Sequence, residues 1–244
     1  MNHRELGRRL LAEWLGSTLL AAVVIGPGIA AQRLSPGQTG LELFENAAAT
    51  AAALYALILM LGPVSGAHFN PVVSVVDAAF GGIRWRTALL YMPAQVAGCV
   101  CGAVLANLMF SLSAVSISTH HRASGAHFLS EVVATAGLIL VIFCLVRTRR
   151  TAIVPAAVGA YIGAAYFFTS STSFANPAIT VGRMFSDTFA GIAPSSAPSF
   201  IAAQILGGLV AFALIRVLYP TRQDRSAGHA EPVAIDTSPA EEIA

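Results

Sequence analysis

Six apolar stretches of membrane-spanning length, at roughly 10–31, 46–62, 87–110, 128–146, 152–170 and 198–219, decide what this chain can fold into. A helix needs about 20 apolar residues to cross a hydrocarbon core of about 30 Å. Six such runs in series leave no polar face for water. With 56% hydrophobic and only 11% charged residues, the 244-residue chain cannot cover a soluble globule, so lipid must solvate it. Backbone groups left unpaired in lipid are costly, so spans of this length are helices and the expected fold class is an all-α membrane protein. The first stretch is too long for a signal-peptide core and lacks a small-residue cleavage site, and it reads as a retained span.

All fourteen basic residues are arginine. In a six-span arrangement Arg4, Arg8, Arg9, Arg84, Arg86, Arg147, Arg149, Arg150, Arg216, Arg222 and Arg225 fall on one side, against Arg33, Arg122 and Arg183 on the other. The positive-inside rule then places both termini in the cytoplasm. Basic residues gathered at span ends, with no basic domain, argue against nucleic-acid binding. Cys99, Cys101 and Cys144 lie in apolar runs with neither a disulfide framework nor zinc spacing, so no metal or cofactor is expected.

Two apolar segments fall outside the six spans, one after Asn70 and one after Asn176, and each is too short to cross. Both start with Asn-Pro. Asparagine is a good N-cap and proline at the first helical position loses no bond, so Asn70-Pro71-Val72 and Asn176-Pro177-Ala178 read as the starts of short helices. Each follows a turn rich in small residues, 65–69 and 170–175, which marks a re-entrant segment. The surrounding chain repeats: Glu13 is answered by Glu131, Asn70 by Asn176 and Gln95 by Gln204, at offsets 131 − 13 = 118, 176 − 70 = 106 and 204 − 95 = 109. Near-constant offsets mark a duplicated unit, here about 8–110 and 127–219. Three spans per unit make the copies inverted. A second Ser-Gly-Ala-His-Phe, at 124–128, has no Asn-Pro behind it and is read as chance.

Half-helices entering from opposite faces bring their N-termini together near the midplane. Each N-terminus carries about half a positive charge and unpaired N–H groups, so the junction repels cations and accepts neutral dipoles. Non-helical turns at membrane depth are tolerated where they line a water-filled cavity. The amides of Asn70 and Asn176 can donate to a passing oxygen at the narrow point and so interrupt proton hopping along a water chain. A passive channel for small uncharged solutes follows.

The chain resembles the major intrinsic protein family, the aquaporins and aquaglyceroporins. The resemblance covers about Arg8 to Tyr219. It rests on Ala12-Glu13-Trp14-Leu15-Gly16, Ser65-Gly66-Ala67-His68-Phe69-Asn70-Pro71-Val72, Ala94-Gln95, Glu131, Asn176-Pro177-Ala178 and Ala203-Gln204, in order and at the right spacing. It implies six transmembrane helices plus two re-entrant half-helices, one pore per subunit, a homotetramer in the inner membrane of a bacterium, and no enzymatic activity. The family's selectivity constriction maps by counting onto Thr50, Ala164, Ser173 and Ile179. Ile179 stands where arginine is usual, so the resemblance implies a widened, arginine-free constriction. Such a filter is similar to that of a bacterial branch linked to arsenic resistance, which adds metalloid acids and methylated arsenicals to water and glycerol-like polyols as expected solutes.

Arg183, four residues beyond Ile179, either places its guanidinium in the outer vestibule or ends the helix paired with Asp187, the second reading being preferred. Glu13 and Glu131 are expected to hold the re-entrant turns by hydrogen bonds, and His68 to brace its turn. His120, His121 and His127 read as solvated loop residues. Gly26, Gly98, Gly102, Gly163, Gly207 and Gly208 suit close helix contacts. Residues 220–244 read as a disordered cytoplasmic tail. The competing function is a secondary transporter, which would need a coupling-ion site near the midplane, and only Asp77 lies beyond an Asn-Pro on the same half-helix. An intramembrane hydrolase lacks its nucleophile elbow.

Overall fold

A computed structural model describes residues 3–220, so all but the first residue of the expected tail lies outside the described residues. The chain runs α1 (His3–Leu34), α2 (Thr39–Ser65), α3 (Pro71–Ala79), α4 (Trp85–Met109), α5 (Gly125–Arg147), α6 (Val154–Phe168), α7 (Pro177–Gly182) and α8 (Ala197–Leu218). Six of these are long and apolar enough to cross a membrane, α6 counted with the tight turn that precedes it. The two short ones, α3 and α7, follow Asn70 and Asn176 as expected.

The first helix begins well before its apolar window, at His3. Its leading turns are polar, and Glu5 pairs with Arg9 one turn on, at 3.5 Å. The apolar run measures what lies in hydrocarbon. The helix continues past it because its own hydrogen bonds cost nothing in water.

α1 packs on α4, and α5 on α8. Both contacts depend on glycine: a methyl group on Gly102 would stand 2.1 Å from the Thr18 carbonyl oxygen, and one on Gly207 2.5 Å from that of Val132. In lipid, where apolar surface gains little by leaving its solvent, such close backbone approach is what holds helices together. Large apolar side chains such as Leu11, Leu89, Leu129 and Leu209 face outward, while Glu13, Gln95, Glu131 and Gln204 are fully buried. The pattern inverts that of a soluble protein. The buried polar groups sit behind α3 and α7, whose N-termini face each other.

The copy of Ser-Gly-Ala-His-Phe at 124–128 has a local role. Ser124 caps α5 by accepting from the His127 N–H at 3.2 Å, which places His127 in the first turn of that helix rather than in a loop.

Candidate functional site

Asn70 Oδ1 accepts from the N–H of Val72 at 2.9 Å, and Asn176 Oδ1 accepts from Ala178 at 2.9 Å and Ile179 at 3.3 Å. Each asparagine is thus the N-cap of its half-helix. The amide nitrogens do something further: Asn70 Nδ2 donates to the carbonyl of Ala175 at 2.7 Å, and Asn176 Nδ2 to that of Phe69 at 2.8 Å. One N–H of each amide ties the halves together. The other remains available.

The approach to each asparagine is a left-handed turn that few sequences accept. Gly66, Ala67 and Phe69 have φ of 95°, 50° and 49°, and Thr172, Ser173 and Ala175 have 61°, 50° and 49°. Non-glycine residues there cost energy, so something must hold them. Buried carboxylates do so. Glu13 accepts from Ser65 Oγ (2.6 Å), the His68 N–H (3.0 Å), the Phe69 N–H (2.7 Å) and Gln95 Nε2 (2.7 Å). Glu131 accepts from Ser171 Oγ (2.6 Å), the Phe174 N–H (2.9 Å), the Ala175 N–H (2.9 Å) and Gln204 Nε2 (2.7 Å). The glutamines also reach Ser74 and Thr180, whose hydroxyls bond the carbonyls of Asn70 and Asn176. Ser74, Ser171 and Thr180 belong to no motif of the sequence analysis, although the separations 171 − 65 = 106 and 180 − 74 = 106 match that of the asparagines.

Val72, which stands where Ala178 stands in the other half, is accommodated by a missing side chain opposite. A methyl group on Gly208 would lie 2.5 Å from Val72 Cγ1. Gly16 makes room for the Phe69 ring in the same way, at 1.9 Å.

A cavity of about 620 Å³ is lined by Asn176 and by Phe69 and Val73 on either side of Asn70, but not by Asn70 itself, whose amide is turned to Ala175. One wall is apolar, with Leu20, Val24, Leu54, Ile58, Ile142 and Val158. The other is the loop segment 66–69 with His68 and Asp77 toward one end, and Ser173, Phe174, Asn176, Ile179 and Arg183 toward the other. Lining residues on α2 run from Thr50 to Pro63, which at about 1.5 Å per residue is about 20 Å of a membrane core of about 30 Å.

Thr50, Ser173 and Ile179 line this cavity and Ala164 does not. Ala164 is on the exposed face of α6. Val158, Ile162 and Tyr166, spaced four apart, form the face that meets the cavity, and a position two residues from either neighbour points away from it. Tyr166 holds the place expected of Ala164, with its hydroxyl 3.2 Å from Thr50 Oγ1. The cavity wall beside Thr50 therefore carries an aromatic ring.

Arginine is also present. Arg183 is 2% exposed, lines the cavity and lays its guanidinium 3.4 Å above the centre of the Phe174 ring. Its Nε donates to the Ala190 carbonyl. The preferred pairing with Asp187 does not form: α7 tightens at 183–185 and Ser186 is extended, which carries Asp187 away. Asp187 accepts instead from the Thr119 N–H at 2.8 Å, which holds its carboxyl below the usual range. His120 lies 3.8 Å from it. The cavity is thus not free of arginine: Arg183 lines it one turn beyond Ile179.

His68 braces its turn. Nδ1 is 3.1 Å from Ser74 Oγ, Nε2 3.4 Å from Asp77, and the ring meets Tyr91 edge-on. Among the described residues no cluster of histidine, cysteine and carboxylate side chains could hold a metal.

Six spans, two half-helices meeting nose to nose and a cavity along their junction define a membrane channel. The chain belongs to the major intrinsic protein family, whose members are channels and not enzymes; the family model matches residues 1–173. It is 46% identical over 240 residues to "Aquaglyceroporin AqpS" of Rhizobium meliloti (strain 1021), covering 98% of each chain. It is 31% identical to the "Glycerol uptake facilitator protein" of Pseudomonas aeruginosa over 91% of this chain and 92% of that one. Among solved structures, the aquaglyceroporin from Plasmodium falciparum superposes with a TM-score of 0.67 over 88% of this chain and 98% of that one, at 22% identity, a likeness of fold.

Proposed function

We propose that the chain is a passive channel for small uncharged solutes: water, glycerol-like polyols, and metalloid acids or methylated arsenicals. The observation that carries this reading is the two-sided cavity, apolar along α2, α5 and α6 and rich in hydrogen-bonding groups along the loops, with Asn176 on the polar side. An alkyl-bearing hydroxylated molecule can keep its carbon face on the first wall and its hydroxyls on the second. The names of the relatives above support the polyol reading. Thr50, Tyr166, Ser173 and Ile179 serve as the constriction. A side chain of isoleucine in place of arginine leaves the passage beside it wider and less polar. That favours bulkier, weakly polar solutes, including trivalent metalloid hydroxides.

One channel domain, 1–219, with its two units at about 8–110 and 127–219, sits in the inner membrane of a bacterium with both termini cytoplasmic. The arginine distribution supports that orientation. Each subunit carries its own pore, and family membership supports a homotetramer.

A secondary transporter would need a coupling-ion site, and the only acidic residue lining the cavity among the described residues is Asp77, which faces His68 at one end. Flux through the channel is expected to stay linear with solute concentration and indifferent to proton or sodium gradients. Stopped-flow proteoliposomes given water, glycerol and arsenous acid test the reading. Ile179→Arg should slow glycerol and the metalloid acid more than water. If every permeability is unchanged by that substitution, Ile179 does not lie at the constriction.

A further inference from the structure

Arg183 is a buried cation with no direct ion-pair partner: Glu131 acts on it only at a distance. Asp187 is engaged with Thr119, and both oxygens of Glu131 are occupied by two donors each. Among the described residues no carboxylate lies within ion-pair distance of the Arg183 guanidinium, and its hydrogen bond to the protein is made through Nε. The Nε bond to Ala190 and the stack on Phe174 fix the fork in place. Arg122 adds a second guanidinium, 5.6 Å from the same ring and bonded to the Gly191 and Phe189 carbonyls. A desolvated charge with no direct ion pair is costly, and a fork that faces the cavity can take from a solute the oxygens that the protein does not supply.

Ser173 points the same way. Its Oγ is buried at 4% residue exposure, has no hydrogen-bond partner, and belongs to a residue lining the same cavity. Further in stands Asn176, with one amide N–H left after its bond to Phe69. Going inward, a solute meets a guanidinium fork, a hydroxyl and an amide, all able to donate. A polyol needs donors and acceptors in equal measure. A row of donors fits an oxyanion, and a planar fork fits two oxygens on one central atom.

We propose that Arg183 and Ser173 form an oxyanion-binding mouth that admits small oxyacids in their singly ionised form. The inference rests on the reading of this cavity as a solute pathway. It differs from that reading in solute charge, so the two are tested apart.

The test uses the full chain in proteoliposomes with the membrane potential clamped. Glycerol permeation is followed by swelling, and uptake of labelled methylphosphonate is followed well below its second ionisation, where it carries one charge. The expected result is protein-dependent methylphosphonate uptake. Its ratio to glycerol flux should fall about tenfold or more in Arg183→Gln, as loss of a charge-assisted bond implies, and recover in part in Arg183→Lys. Ser173→Ala, whose hydroxyl supports nothing else, should lower the ratio severalfold and serves if R183Q does not insert. Absence of methylphosphonate uptake in vesicles that pass glycerol overturns the inference alone. So does an equal ratio in wild type and in whichever variants insert. Vesicles that pass neither solute overturn the channel reading and this inference with it.

Discussion

Asn70 and Asn176 each donate an amide hydrogen to the carbonyl of the residue that precedes the other, Asn70 to Ala175 at 2.7 Å and Asn176 to Phe69 at 2.8 Å. Each is also the cap of its own half-helix, so one side chain performs both jobs. Replacing either with alanine removes a cap and leaves a buried carbonyl unpaired. The expected loss for N70A or N176A is about 2–4 kcal/mol. Thermal unfolding of the detergent-solubilised protein, compared with an exposed control such as Gln38→Ala, measures it.

The carboxylates behind the turns should tolerate even less. Glu13 receives four hydrogen bonds and Glu131 four, all from donors. Glutamine keeps the shape but turns an NH2 group toward N–H groups. E13Q and E131Q should each cost about 3 kcal/mol or more. Flux and folded yield should fall together. Stable, fully folded E13Q without flux would instead mark a proton-handling role for Glu13.

Val72 and Gly208 should be energetically coupled. G208A alone overpacks against Val72 Cγ1 and is expected to destabilise by about 1–3 kcal/mol. In a V72A background the same change should be nearly neutral. A double-mutant cycle should therefore return a coupling of about 1 kcal/mol or more.

Tyr166 and Ala164 separate the structure from the counting rule. Y166A should raise the permeability of glycerol relative to water, because it removes a ring from the cavity wall. A164F adds bulk on the exposed face of α6 and should leave both permeabilities as they were. The opposite pattern in stopped-flow measurements would return Ala164 to the constriction.

That contrast shows what the sequence carries and what it does not. Span lengths, the Asn-Pro starts and the Glu and Gln pairs are legible because each is a local pattern repeated at a near-constant offset. Ser65 and Ser171 were legible by the same arithmetic. Tyr166 was not, since counting back from Asn176 assumes a loop length, and an error of two residues turns a helical position by about 200°. Arg183 was misread for a related reason. A partner four residues on presumes that the helix continues, and α7 tightens and ends there instead.

The glycine opposite Val72 has a consequence for how the two halves depend on each other. By the 109-residue offset, 208 − 109 = 99, so Cys99 on α4 holds the place that Gly208 holds on α8. A protein assembled from two copies of the first half would set Val72 against a cysteine on both sides, with no room for either. Two copies of the second would face Ala178 with a glycine on both sides and leave two voids. The polar wiring is interchangeable between halves, but the apolar filling fits only one way round. The ancestor that paired with an identical copy of itself cannot have carried the steric fit of either present half.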